Sequence, residues 1–179
     1  MIELEMHTVQ SAPEDSRKLL QSSIDNFGWI PNQSAYMAES PALLSSYQYA
    51  HERFSDCSLS DEEKAVVWIT TGLLNQCRYT VQAHRWIALK QGVSVDTLTQ
   101  LETNPDSLPE KLRAIHRFTQ VVAKAQGIIP QSAAMDFLRA GYTKQNMLDI
   151  ILGVSQKTMS TLLNSLAGSQ IEPEFMNVS

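Results

Sequence analysis

No proline stands between Pro41 and Pro105, and the other five fall at Pro13, Pro31, Pro109, Pro130 and Pro173. Proline breaks a helix interior because it lacks the N–H donor and clashes with the preceding turn. The proline-free window can therefore hold long helices. Three prolines open runs of acidic or helix-forming residues: Pro13-Glu14-Asp15, Pro41-Ala42-Leu43-Leu44 and Pro109-Glu110-Lys111. Its fixed φ suits the first helical position, where an N–H has no partner anyway. Gly28, Gly92, Gly127, Gly141 and Gly168 stand where such runs end, the place that favours a left-handed cap.

Between these marks the apolar period is helical. Leu112, Ile115, Phe118, Thr119 and Val122 form one stripe at three-and-four spacing. Residues 60–76 and 147–154 are apolar nearly all round, the pattern of central, buried helices. Gly72 and Gly153 inside them cost about 1 kcal/mol each of helix propensity, so close packing is expected to compensate. The reading is eight helices, over 14–26, 41–54, 60–76, 78–91, 94–102, 109–126, 131–140 and 144–167. No alternating strand pattern bounded by turn pairs occurs. The expected fold class is all-α with a single domain: an N-terminal segment with one helix (1–26), a main body (27–168) and a tail (169–179) that docks or stays loose.

Charge and composition exclude several functions. With 14 basic and 19 acidic side chains the formal charge is -5, and no basic cluster offers a surface for phosphates. No nucleic-acid partner is expected. No membrane partner is expected either, because no apolar run approaches the roughly 20 residues of a membrane span. The first residues lack a signal peptide's basic start and apolar centre. Two cysteines cannot scaffold a chain of 179 residues by disulfides, so a cytoplasmic location is expected.

The segment with chemical content is Asn75-Gln76-Cys77-Arg78-Tyr79-Thr80-Val81-Gln82-Ala83-His84. On a helix beginning near Cys77, the residues Cys77, Thr80 and His84 share one face. A thiol at a helix N-terminus feels the positive end of the dipole, which favours thiolate. His84 lies two turns on, about 10 Å by helical rise, and would act through Thr80, a water or a substrate. Spacing alone equally allows a buried structural cysteine and a satisfied core histidine.

Longer stretches carry a resemblance. They are Phe27-Gly28-Trp29-Ile30-Pro31-Asn32, Ala38-Glu39-Ser40-Pro41-Ala42-Leu43-Leu44, Leu59-Ser60-Asp61-Glu62-Glu63-Lys64, the Asn75–His84 segment and Leu152 to Ser160, followed by Asn164 and Leu166-Ala167-Gly168. In this order they resemble the carboxymuconolactone decarboxylase-like superfamily and, within it, the alkylhydroperoxidase D-like (AhpD-like) branch. The resemblance implies an all-helical fold around a central helical hairpin and a homo-oligomer, whether dimer, trimer or hexamer. It also implies a peroxiredoxin-type antioxidant peroxidase acting on a small molecule without a cofactor. In that branch a Glu is followed twelve residues later by a Cys, three further by a second Cys, and four further by a His. Cys77 and His84 match. Thr80 stands where the second Cys would be, and Ala65 where the Glu would be.

The resemblance thus implies Cys77 as peroxidatic thiol and His84 as proton relay. With Thr80 unable to form a disulfide, an external thiol must resolve the sulfenic acid. Cys57 could pair with Cys77 only if their Cα atoms came within about 7 Å. Glu62, one turn before Ala65, is the local carboxylate whose phase points toward His84. Glu63 fits a capping box with Ser60 instead. Tyr79 and Thr80 are the remaining candidate binding residues. His51 and His116 lack Cys, Asp or Glu at metal spacing, so no metal is expected. His7 falls in a terminus expected to be mobile, while Trp68 and Trp86 sit at core spacing. Two other functions compete: a non-catalytic scaffold or ligand-binding protein, and a cofactor-free lyase working through His84. In the lyase, Arg78 or Arg85 would pair with a substrate carboxylate.

Overall fold

A computed structural model describes residues 3–176. The helices are α1 (Glu14–Phe27), α2 (Asn32–Met37), α3 (Pro41–Ser55), α4 (Asp61–Leu74), α5 (Arg78–Lys90) and α6 (Val95–Thr103). A 3₁₀ turn at Pro105–Ser107 precedes α7 (Glu110–Lys124), α8 (Gln131–Arg139), α9 (Lys144–Ala167) and α10 (Pro173–Met176). Among the described residues there is no strand. Each expected helix is present with its ends displaced by two residues at most. The additions are α2 and α10, with six and four residues, too short for a periodicity to register.

The central hairpin is α4 and α5, joined by Asn75-Gln76-Cys77. Gln76 takes the left-handed conformation (φ 51°), and the Cys77 N–H donates to Gly72 O at 2.9 Å. Gly72 lets the two helices close: a Cβ there would lie 2.9 Å from Thr80 Cγ2. Helix α4 also packs on α6, α7 and α9, which explains its apolar composition on every side. It starts with the expected capping box, in which Ser60 Oγ accepts from Glu63 N–H and Glu63 Oε2 accepts from Ser60 N–H. Gly153 of α9 gives room to Phe54 of α3, whose ring would be 2.6 Å from an added Cβ.

Two apolar clusters position the rest. The main one holds Phe54, Trp68, Ile69, Ile115, Phe118 and Ile150 around α4. A second, with Leu20, Met37, Leu44 and Leu163, fixes α1 and α2 against α3 and α9. The expectation of a mobile N-terminus at His7 is corrected. Its side chain is buried, its N–H donates to Ala35 O, and Nε2 lies 2.6 Å from Glu39 Oε2. The tail docks. Phe175 is buried among Trp29, Tyr79 and Trp86, with ring centroids 5.4 to 6.0 Å apart.

Candidate active site

A cavity of about 670 Å³ opens between α1, α3 and the first half of α5, with Gln33 and Ser34 of α2 and Phe175 of the tail on its wall. That volume falls within the range of small-molecule sites. Tyr79, Thr80 and His84 of α5 line it, with Tyr47 and His51 of α3. The helical phase expected for Thr80 and His84 therefore places both on the cavity wall.

His84 is buried, with 3% of its surface exposed. Its ring packs against Trp68 at 4.4 Å between centroids and lies 6.2 Å from the ring of His51. Its Nε2 is 2.6 Å from the Nζ of Lys157, which also donates to Tyr47 Oη at 3.1 Å. Lys157 is 1% exposed and has no carboxylate at ion-pair distance among the described residues. Burial, more than anything else, lowers its pKa. Burial and then the neighbouring Lys157 charge hold His84 well below the ordinary imidazole value and His51 at about 3. His51 lies flat on Trp68, 5.0 Å between centroids and 10° between planes. Two buried polar atoms of these lining residues have no partner: Thr80 Oγ1 and His84 Nδ1.

Cys77 is the N-cap of α5 and is buried just behind that wall. Its Sγ lies 3.7 Å from the Nδ2 of Asn164, which also donates to Gln33 Oε1 at 2.9 Å. Since Gln33 lines the cavity, a short polar chain links the thiol to it. This gives Asn164 a definite place. Tyr79 Oη donates to Glu172 Oε1 at 2.7 Å and accepts from the Gln33 N–H at 3.3 Å. The tail carboxylate thus orients the wall.

Several sequence candidates lie elsewhere. Glu62 accepts from Thr97 Oγ1 at 2.9 Å and is not on the cavity wall. At its turn of α4 the phase shared with Ala65 looks onto α6. Arg85 is committed to Glu102 at 2.8 Å, and Arg78 is exposed. Cys57 precedes α4 whereas Cys77 follows it, so roughly 20 Å of helix separates them. Both are free thiols, and burial raises the pKa of Cys57. Among the described residues no group of His, Cys, Asp and Glu could hold a metal. Sequence reasoning passed over Lys157, Tyr47 and Glu172, and weighed His51 only as a metal ligand. Only Lys157 left a signal, as a lysine on the face of α9 that also carries Gly153, Val154, Ser160 and Thr161.

No protein-family model and no curated protein matches the chain. Solved structures do. The AhpD core of a peroxidase-related protein from Ralstonia eutropha JMP134 superposes with a TM-score of 0.84 at 21% identity, covering 98% of this chain and 96% of that one. A peroxidase-related protein from Silicibacter sp. TM1040 gives 0.81 at 18% identity, over 98% and 93% of the two chains. The debrominase Bmp8 gives 0.80 at 17%, over 98% and 95%. The chain has the alkylhydroperoxidase AhpD-type fold, all helical and built as a single domain. Among the described residues no helix is long and apolar enough to cross a membrane.

Proposed function

We propose that the chain is a peroxiredoxin-type enzyme of AhpD type that reduces hydroperoxides with one cysteine. The observation that carries this reading is the seat of Cys77. Its sulfur lies at the N-cap of α5, held by Asn164 and joined through Gln33 to the cavity that His84 lines. The peroxidase-related neighbours support the same class. The Cys77 thiolate attacks the distal peroxide oxygen, the O–O bond breaks, and the sulfur becomes a sulfenic acid. His84, which lines the cavity where the organic part binds, takes up the proton that the Cys77 thiol loses and passes it to the leaving alkoxide, so its ring ends each step neutral. A low-molecular-weight thiol then attacks the sulfenic sulfur, releasing water and leaving a mixed disulfide. A second equivalent of thiol regenerates Cys77. Thr80 contributes a hydroxyl toward the substrate in place of a resolving sulfur. The protein acts in the cytoplasm as a homo-oligomer, where such thiols are plentiful.

The test is mass spectrometry of wild type and Cys77→Ser under alkylating agent, with and without an organic hydroperoxide and a sulfenic acid trap. The expected result is alkylation of Cys77 in the folded protein and a trapped sulfenic acid that Cys77→Ser lacks. Alkylation only after unfolding, with no adduct, would sink the proposal.

A second reading rests on the cavity's own lining, which carries His84, His51 and Tyr47 but not Cys77. A thiol-independent reaction on a small organic molecule would then proceed through His84. Bmp8 in this fold is a debrominase, and its Cys-to-Ala variant has been seen with 2,3,4-tribromopyrrole. That reading requires His84→Ala to abolish turnover and Cys77→Ser to leave it intact.

A further inference from the structure

His84 and Lys157 form a pair for which the peroxidase reading, as stated, has no use. The lysine Nζ meets the imidazole at Nε2, 2.6 Å away, and the second ring nitrogen, Nδ1, is buried without a partner in a residue that lines the cavity. An ammonium on Lys157 must donate, so Nε2 must accept and the ring proton must sit on Nδ1, the buried nitrogen that has no other partner. A neutral amine reverses the demand: Nε2 can carry the proton and donate to Nζ, leaving Nδ1 a bare acceptor. The charge on Lys157 therefore sets which nitrogen of His84 bears hydrogen.

We propose that Lys157 is the proton source of the site, acting through His84 as a positioning and relay residue in place of the absent Glu. When an oxygen in the cavity acquires negative charge, His84 Nδ1–H gives it a proton. Lys157 Nζ–H⁺ replaces that proton at Nε2. The products are a neutral hydroxyl, an imidazole of the other tautomer and a neutral amine. In the peroxidase step the charged oxygen is the alkoxide left by O–O cleavage. The proton lost when the Cys77 thiol ionises balances the one delivered, so Lys157 returns to its starting state each turnover. The identity of that oxygen rests on the peroxidase reading; the proton pathway does not.

The surroundings suit the role. Lys157 is faced by Tyr47 and His51 from α3, Trp68 from α4, His84 from α5 and Cys77 at its N-cap, none of them a carboxylate. Trp68 and Tyr47 stabilise its charged form by their ring faces, 5.7 and 5.2 Å from Nζ. Burial favours the neutral form. Opposed effects of this kind bring an amine toward the pH range in which it can both hold and release a proton.

The test is nitrogen-15 NMR of histidine-labelled wild-type protein across pH 6 to 11, which needs no variant. The expected result is exchange of the protonated-nitrogen signal of His84 from Nδ1 to Nε2 as pH rises. Its midpoint should fall below the ordinary lysine value of about 10.4. Lys157→Met, shown to be folded by circular dichroism, should lose this titration. Its turnover of cumene hydroperoxide should fall about 100-fold, with loss of the basic limb of the kcat profile. One unchanging tautomer in the wild type would overturn the proposal, as would a titration that persists in Lys157→Met. A wild type that shows the exchange but does not reduce hydroperoxide would support the relay and remove the peroxidase reading.

Discussion

His51 and His84 sit with ring centroids 6.2 Å apart, and burial is the main reason both resist protonation below the ordinary imidazole value. A histidine whose folded pKa is depressed stabilises the fold only above its unfolded value, near 6.5. Below that pH the unfolded chain takes up the proton and the folded chain does not, so stability falls as pH falls. For His51 the window runs from about 6.5 down to about 3. His51→Phe keeps the flat stack on Trp68 and removes the titration. It should reduce the slope of unfolding free energy against pH by about 1.4 kcal/mol per unit between pH 6 and 4, measured by urea denaturation at each pH. At this scale the sequence was only partly readable. Helical phase put Cys77, Thr80 and His84 on one face. It holds for Thr80 and His84, which line the cavity, and not for Cys77, which as the N-cap lies outside the regular helix and off the wall. It could not supply Lys157, which reaches His84 from 73 residues further on, or Tyr47, which meets Lys157 from another helix. The same phase argument misdirected Glu62, since a correct position on α4 says nothing about which helix lies opposite.

Helices were the most legible level. Proline at the starts, glycine at the ends and the apolar period are all local signals, and they survive packing. The two glycines inside helices were also informative, because a residue that weakens a helix needs a contact to justify it. Gly153 faces the Phe54 ring, where a Cβ would fall 2.6 Å from Cε2 and 2.7 Å from Cζ. Alanine gains about 1 kcal/mol of helix propensity there. The ring is fully buried between α3 and α9 and has no free direction in which to move, and overpacking of this kind typically costs 1–3 kcal/mol. Gly153→Ala should therefore lower the urea midpoint without changing the m-value. An unchanged or raised midpoint would mean that α3 shifts at little cost. What remained unread were elements shaped by distant partners. Helix α10 is one turn long and is held through Glu172 on Tyr79 and Phe175 in the aromatic cluster.

Across the whole molecule, α9 is the element with two different faces. One carries Ile150, Gly153, Val154 and Lys157 into the core and the site. The opposite face exposes Leu148, Ile151, Ser155, Thr158, Leu162 and Ser165, with Leu166 beside them. Steps of three and four residues keep that stripe straight along a helix, which is the spacing of a helix–helix seam. Leu148, Leu162 and Leu166 are 66%, 67% and 56% exposed, and with Ile151 they set large apolar side chains among the Ser and Thr of the stripe, a surface that a second copy of the chain would cover. This gives the proposed homo-oligomer a location that can be tested apart from the chemistry. A lysine at position 162 would place a charge in the middle of such a contact but in water on an isolated chain. Leu162→Lys should therefore convert the wild-type oligomer to a 20 kDa species in light scattering at micromolar concentration, while its circular dichroism stays helical. The same mass in variant and wild type would show that copies of the chain do not meet along α9. Because Lys157 projects from the opposite face of the same helix, the variant also separates assembly from catalysis. If the cavity is complete within one chain, the monomer should retain the His84 tautomer exchange.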